Sequence, residues 1–469
     1  MPLPCRVHLT DSKGQIVLSR NYPAFQTHFT IPGEARLELS PGTYRATLER
    51  GPEYTANHTE LEVPESGSVH LTRQLKRIAD LAREGWWSGD LHIHRPPGDI
   101  ELLMRGEDLH VAPVITWWHN RKRWISLDIE PPYERVFDGN RFYDLGAGED
   151  EREGGAVQFF GLKSPLSIEH EEVNGRPTAA FLELARRMGA RIVIEKPFWG
   201  DVPVWIASGL VDSIEIANNH MLRHGVVDTE AWGYARDIRR FPGPHGNGLW
   251  SQEIYYRLLE AGLRIPPSAG SASGVLPNPV GYNRVYVHID GEPTYQRWWT
   301  GLLSGRCFVT NGPLLRVIVD GQLPGHVFHA FSNRAPGLRL EILLDSRDPI
   351  DRIELIQNGQ VKQAITGASW KHGERFSPVQ VDQNGWFLVR AIADVRETFR
   401  FASTAPYYVE IAGAKPRISR SATQFFLRWL HDRAGTLENL RPDVREEAAE
   451  IQRKAEAFWQ GRLTAATVP

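Results

Sequence analysis

From Gly85 to about residue 312, short apolar runs alternate with segments of helical period, and this alternation limits the fold more than any other feature. SGDLHIHR, HVAPVITWW, AVQFFGL, RIVIEKP, VDSIEIAN and LRIPPSAG read as strands buried on both faces. DIELLMRGED, PTAAFLELARRM, SQEIYYRLLEAG and TYQRWWTGLLSG read as helices between or after them. Strands with no polar face need cover on both sides, which predicts a parallel sheet, open or closed, flanked by helices. Roughly eight such units over about 225 residues suit the size of a β/α barrel. The polar, Gly-rich stretch from Arg121 to Gly155 breaks the alternation and is expected to be an active-site loop.

The flanks follow a different rule. CRVHLTD, QIVLSR, THFTIP, ARLELS and YRATLERG are short strands punctuated by Gly and Pro, which predicts a β-sandwich over residues 1–75. LTRQLKRIADLARE follows, with Leu71, Leu75, Ile78 and Leu81 at helical spacing, and predicts a linker helix. LLRVIVDG, LRLEILLDS, IDRIELIQNG, GWFLVRAIAD and APYYVEIAG predict a second sandwich over 313–415. The tail, 416–469, is helical, with Glu/Arg/Lys pairs near i,i+4, and is expected to dock on a neighbouring domain. The reading is a multidomain α/β protein with a central β/α unit over 76–312.

Charge narrows the partners. Lys plus Arg number 54 against 57 Asp plus Glu, a net charge of -3, so no positive field exists to hold nucleic acid. Cys5 and Cys307 are too few and too far apart for a disulfide framework, and two free thiols are expected. MPLPCRVHLTDSKGQ contains no apolar signal-peptide core, and no run approaches a membrane span. The expected location is cytoplasmic, or periplasmic or secreted if an export signal has been removed.

GDLHIHR carries the sharpest chemical signal. His92 and His94 sit two apart at the end of the first strand of the β/α region, so both side chains face one way. Two imidazoles on one face can share a metal at about 2.0–2.1 Å; the plainer alternative is a pair of hydrogen-bonded strand histidines. Trp86, Trp87, Trp117, Trp118, Trp199 and Trp205 gather in sequence near the same strand ends, where aromatic rims suit sugar or aromatic ligands and also ordinary packing.

Taken in order, GDLHIHR, ITWWHN, AGEDEREGGAVQFFGL, KPFW and IEIANNH resemble the polymerase-and-histidinol-phosphatase (PHP) superfamily, most closely its CehA/McbA-like metallohydrolase branch, over about residues 85–312. The resemblance implies a PHP-like distorted seven-fold β/α barrel between β-sandwich companions, holding zinc, manganese or iron and hydrolysing phosphoesters or other esters. By the same resemblance, His92, His94 and Asp99 match the first ligand motif, His119 the second, and Glu149 the bridging carboxylate, with Glu151 as an alternative. Glu215 and His220 fall in a later ligand region. Where the family has a His-Pro pair this chain has Lys196-Pro197, preceded by Glu195, and where it has a final Asp and His this chain has Ala272 and Gly274. The missing donors imply one or two divalent ions rather than three.

Alternation along a strand predicts that only one of Glu195 and Lys196 enters the site. Glu195 can take the vacant ligand position, and Lys196 can pair with a glutamate or polarise a substrate oxygen. Arg95, directly after the HxH, is a candidate for an anionic substrate group, and His119 or His220 for proton transfer. The expected activity is metal-dependent hydrolysis of a small substrate, phosphorylated or sugar-like, and the rival is a degenerate barrel that binds a carbohydrate or partner. The oligomeric state is left open.

Overall fold

Strand Asn57–Val63 alternates half-buried and exposed residues along its length, whereas Val111–Trp118 is buried at every position. One covers a single face and the other is packed on both, and that difference separates the N-terminal sheet from the rest of the molecule. The computed structural model describes residues 2–118, 129–166, 168, 175–331 and 337–469. Over these the protein is a multidomain α/β structure, mostly sheet, with a large mixed sheet and a helical C-terminal tail.

The N-terminal sheet is five-stranded and antiparallel, in the order Ala24–Phe25, His28–Ile31, Cys5–Asp11, Gly42–Glu49, Asn57–Val63. Val7, Leu9, Phe29, Tyr44 and Ala46 form its core. Cys5 and Cys307 are both buried and free, as expected. A buried charge network joins this sheet to the next region. Arg6 pairs with Glu49 at 2.6 Å and with Glu107, and Asp108 accepts from Arg50 at 2.8 Å, Arg77 at 2.6 Å and Arg141 at 2.7 Å. Such groups tolerate burial only because each is paired.

The linker helix expected over residues 71–84 does not form. That segment runs against the chain at residues 53–55 instead: Thr55 donates to the Lys76 carbonyl at 2.8 Å and Ile78 to the Glu53 carbonyl at 2.8 Å. A short helix is marginal alone, and these tertiary bonds outweigh its propensity.

The large sheet is 16-stranded. Trp86–Gly89, Val111–Trp118 and Arg141–Arg152 run parallel, as do Arg191–Ile194, Ser213–Ala217 and Pro267–Ala269. Between these groups lies an antiparallel hairpin, Arg141–Arg152 with Gly155–Phe160. This corrects two expectations. The sheet is mixed, because the two residues between Arg152 and Gly155 leave no room for a crossover. The polar stretch expected as a loop contains the strands Glu134–Phe137 and Arg141–Arg152. Two of its carboxylates are satisfied in place: Asp150 pairs with Arg152 at 2.5 Å, and Asp144 accepts from Gly146 and Tyr295.

The two ends of the central strand path meet at Ile93, which bridges Val114 on one side and Ser273 on the other. Leu91 donates to the Ala269 carbonyl at 3.0 Å, His94 to Ser273 at 2.7 Å, and Ile115 to Ile93 at 2.8 Å. Beyond the point where a C-terminal sandwich was expected to begin, the sheet continues unbroken. Cys307–Thr310 pairs with Phe401–Thr404, which leads on to Gly385–Ala393 and Ile350–Gln357. Leu314–Val319 and Leu340–Asp345 form a separate two-stranded sheet, and a second core joins Leu315 and Val317 to Leu355, Phe387 and Val389. No helix among the described residues is long and apolar enough to cross a membrane.

The tail helices Arg420–Ala434 and Arg445–Thr464 dock on the helix Val202–Ala207. Trp429 donates to the Gly200 carbonyl at 3.0 Å and Trp459 to the Pro203 carbonyl at 2.9 Å, while Trp459 stacks on Phe426 at 4.5 Å. Trp459→Ala, which leaves a cavity beneath the tail, is expected to cost about 3–5 kcal/mol in denaturant unfolding. An unchanged midpoint would show that the tail does not support the fold.

Candidate metal centre

The site grows out of one turn. Past Gly89 the chain leaves the regular strand, and the Asp90 carboxylate accepts backbone N–H bonds from His92 at 3.0 Å, Ser271 at 3.0 Å and Gly281 at 2.6 Å. Burial raises the Asp90 acid to about 6 against the pull of these donors. Ile93 then sits between two strands with its side chain in an apolar core containing Ile100, Met104 and Val114. Its neighbours, His92 and His94, therefore share the opposite side, with their Nε2 atoms 3.0 Å apart.

Glu149 reaches both rings from the strand Arg141–Arg152: 3.5 Å to His92 Nε2 and 3.2 Å to His94 Nε2. All three side chains are buried. Four N/O ligands at about 2.0–2.1 Å around a tetrahedral ion lie about 3.3–3.4 Å from one another. The separations of 3.0, 3.2 and 3.5 Å lie near that edge, the two to Glu149 being to different carboxylate oxygens, and the buried His92-His94-Glu149 group could hold a metal ion.

Behind His92 stand two further carboxylates, Glu195 at 3.4 Å and Glu215 at 4.0 Å from Nδ1. Glu195 is fixed by Trp199 Nε1 at 2.8 Å, Asn219 Nδ2 at 2.6 Å and Lys196 Nζ at 2.7 Å. The Lys196 ammonium lies over the Trp199 ring at 4.2 Å. Glu195 and Lys196 thus both enter the site, against the expectation of one. The strand ends at Ile194, so strict alternation no longer governs the next two residues. Lys196 pairs with Glu195.

The electrostatics are acidic. Burial opposes the charged form of His92, but Glu149, with Glu195 and Glu215 behind it, raises the imidazole to about 10. Glu149 is desolvated too, yet the two histidines hold it well below the usual carboxylate range. Burial, reinforced by Glu149 and Glu195, lifts Glu151 to about 7. Glu215 is pushed far up by burial against the pull of His92, and neither of its oxygens accepts a hydrogen bond. Gly270 is obligatory here: a Cβ would lie 2.5 Å from both Glu215 oxygens and from His92 Cβ.

The other expected residues are placed elsewhere. Arg95 is buried on the side away from the triangle, 5.2 Å over the Phe25 ring and donating to the Ala24 carbonyl at 3.3 Å. The alternation that turns His94 inward turns Arg95 toward the N-terminal sheet, which removes it from an anion-binding position. Asp99 lies in the turn Pro97–Asp99, 3.9 Å from Arg95 and outside the triangle. His220 packs on Phe198 at 5.3 Å, also outside it, and burial with the nearby Lys196 holds it well below the usual imidazole value. His119 lies outside the described residues.

Of the tryptophans, Trp118 meets His94 at 4.8 Å and Trp199 carries the Glu195–Lys196 pair. Trp86 and Trp117 pack on Phe308 and Phe159. Sequence reasoning missed Asp90 and Gln158. Gln158, directly opposite Glu149 and fully buried, makes no side-chain hydrogen bond. The available signal was a lone polar residue in the otherwise apolar run AVQFF.

No protein-family model, curated protein or solved structure matches the chain.

Because the folded protein binds the Glu215 proton more tightly than the unfolded chain does, Glu215 costs increasing stability as pH rises above 4.5. Glu215→Gln keeps the neutral shape without that titration. In chelator-treated protein its thermal midpoint, relative to the unsubstituted chain, is expected to climb from about pH 5 to about pH 8. A constant difference over that range would mean that Glu215 is already ionised.

Proposed function

We propose that the protein is a metal-dependent hydrolase of an ester or phosphoester, built on a PHP-like barrel. The meeting of the central strand ends at Ile93 supports a closed barrel, and the strands that continue past residue 312 support a flanking sandwich. The observation that carries the reading is the buried triangle of His92, His94 and Glu149, whose ligand atoms all lie within 4.8 Å of one another.

A divalent ion held there would acidify a bound water and polarise the substrate's carbonyl or phosphoryl oxygen. Glu149 holds the two imidazoles in register from across the sheet. The Glu195 carboxylate lies 3.4 Å from His92 Nδ1, close to where a second contact would orient a ligating histidine. Lys196, clamped by Glu195 and Trp199, supplies a fixed positive charge where the family has a histidine ligand, which favours one ion over three. Its ammonium also offers a donor to a developing oxyanion.

A second reading, a non-catalytic barrel that binds a carbohydrate or a partner, is favoured by the same Lys196–Glu195 pair and by Ala272 and Gly274 in place of the family's last ligands. Metal analysis of the purified protein separates the two. The hydrolase reading expects about one zinc, manganese or iron per chain. His92→Ala and Glu149→Ala are expected to abolish it and to cut hydrolysis of p-nitrophenyl phosphate or acetate more than about 100-fold. A protein that folds metal-free and takes up none of these ions on dialysis rules the hydrolase out. Stoichiometric metal without hydrolysis of any ester supports the binding reading.

A further inference from the structure

A cavity of about 300 Å³ opens between the Arg152–Gly155 turn, the loop around Trp232 and the tail helices. This is the lower end of the range that takes a small ligand, about 300–1,000 Å³. Its wall includes Trp232, whose backbone is left-handed at φ 61 and whose side chain is 53% exposed. A bulky residue held in that conformation costs about 1–3 kcal/mol and persists only where its surroundings enforce it. Here they do: the Trp232 carbonyl accepts from Gly200 at 3.0 Å, Gly233 bridges Trp199, and Tyr234 donates to the Phe198 carbonyl at 2.7 Å. The strain displays a large aromatic face to solvent instead of burying it.

The charges of the cavity say what that face is for. Its three arginines are already neutralised: Arg152 by Asp150 at 2.5 Å, Arg176 by Glu447 at 2.6 Å, and Arg433 by Asp201 at 2.9 Å. The remaining carboxylates, Glu153 and Asp432, are exposed at its rim. Among the described residues that line it, an anion finds no unspent cation and two repelling acids. A neutral polyhydroxylated ring finds an aromatic platform for its C–H face and carboxylates to accept from its hydroxyls.

We propose that this cavity is a binding site for a neutral saccharide, with Trp232 as the stacking platform and Asp432 as a hydroxyl acceptor. It lies one layer from the Glu195–Lys196 pair through Trp199, whose ring is 6.4 Å from that of Trp232, and it does not depend on a metal.

The test is calorimetric titration of the full chain with cellobiose, maltose and chitobiose, and with glucuronic acid as the anionic comparison, before and after chelation. At least one neutral disaccharide is expected to bind in the millimolar range or tighter, unaffected by chelation and better than glucuronic acid. Trp232→Ala is expected to weaken it by at least about tenfold and Asp432→Asn several-fold, with thermal midpoints held or raised, since neither side chain is buried. Absence of binding by all three disaccharides, tighter binding of glucuronic acid, or full affinity in Trp232→Ala would each overturn the proposal. Because the readout is sugar binding with and without chelator, its failure is distinct from a failure of the metal reading.

Discussion

Backbone amides from its own turn, at His92, and from a segment 181 to 191 residues away, at Ser271 and Gly281, converge on one carboxylate, that of Asp90. A buried acid that spends its acceptors on His92, Ser271 and Gly281 fixes the turn after the first central strand to the segment that closes the other end of the sheet path. Ile93 completes the clamp by bridging both neighbours. Everything at the site inherits its position from this turn. The two imidazoles share a side because Ile93 between them is committed to the opposite core, and Arg95 is lost to the site for the same reason.

Around that turn the protein has concentrated acid. Among the described residues, buried Glu149, Glu195 and Glu215 and half-buried Glu151 gather around His92, His94 and the Lys196 ammonium. In such a medium like charges cannot all be ionised, and the values of Glu151 and Glu215 move up accordingly. The most economical neutraliser is a cation among the donors. Lys196 fills that role for Glu195, through a contact that also seats the ammonium on Trp199. The site thus has two parts, the Glu195–Lys196 ion pair seated on Trp199 and the His92-His94-Glu149 triangle beside it.

The outer modules hold these parts in place. The charge network of Arg6, Glu49, Glu107 and Asp108 ties the N-terminal sheet to the helix Ile100–Glu107, which follows the HxH turn directly. On the opposite flank, the tail helices press on residues 200–207 through Trp429 and Trp459 and so brace the segment that carries Glu195, Lys196 and Trp199. That docking also creates the cavity walled by Trp232, a space that neither the central region nor the tail possesses alone.

Apolar patterning was enough to mark the strands Val111–Trp118, Gly155–Phe160, Arg191–Ile194 and Ser213–Ala217, because burial on two faces leaves a run of apolar residues that no loop would carry. The same patterning marked the helices Ile100–Glu107, Leu182–Arg187, Gly243–Glu260 and Tyr295–Leu303, though not Val202–Ala207. The spacing of His92 and His94 was likewise legible, since alternation along an extended chain is local geometry. Residues 71–84 showed a helical period and form no helix, and Arg141–Arg152 looked like a loop and is a strand. In both cases the deciding bonds come from elsewhere: the chain at Glu53–Thr55 for the first, and Val111–Trp118, Tyr295 and the charge partners for the second. The convergence of Glu149 with the histidines, the entry of both Glu195 and Lys196, and the cavity under the tail are contacts between residues tens to hundreds of positions apart. Pattern along a chain records which faces must be buried, so the sequence determined the elements and the HxH pair. Only the tertiary structure decided which side chains share a space, because that depends on register and closure, which no local period encodes.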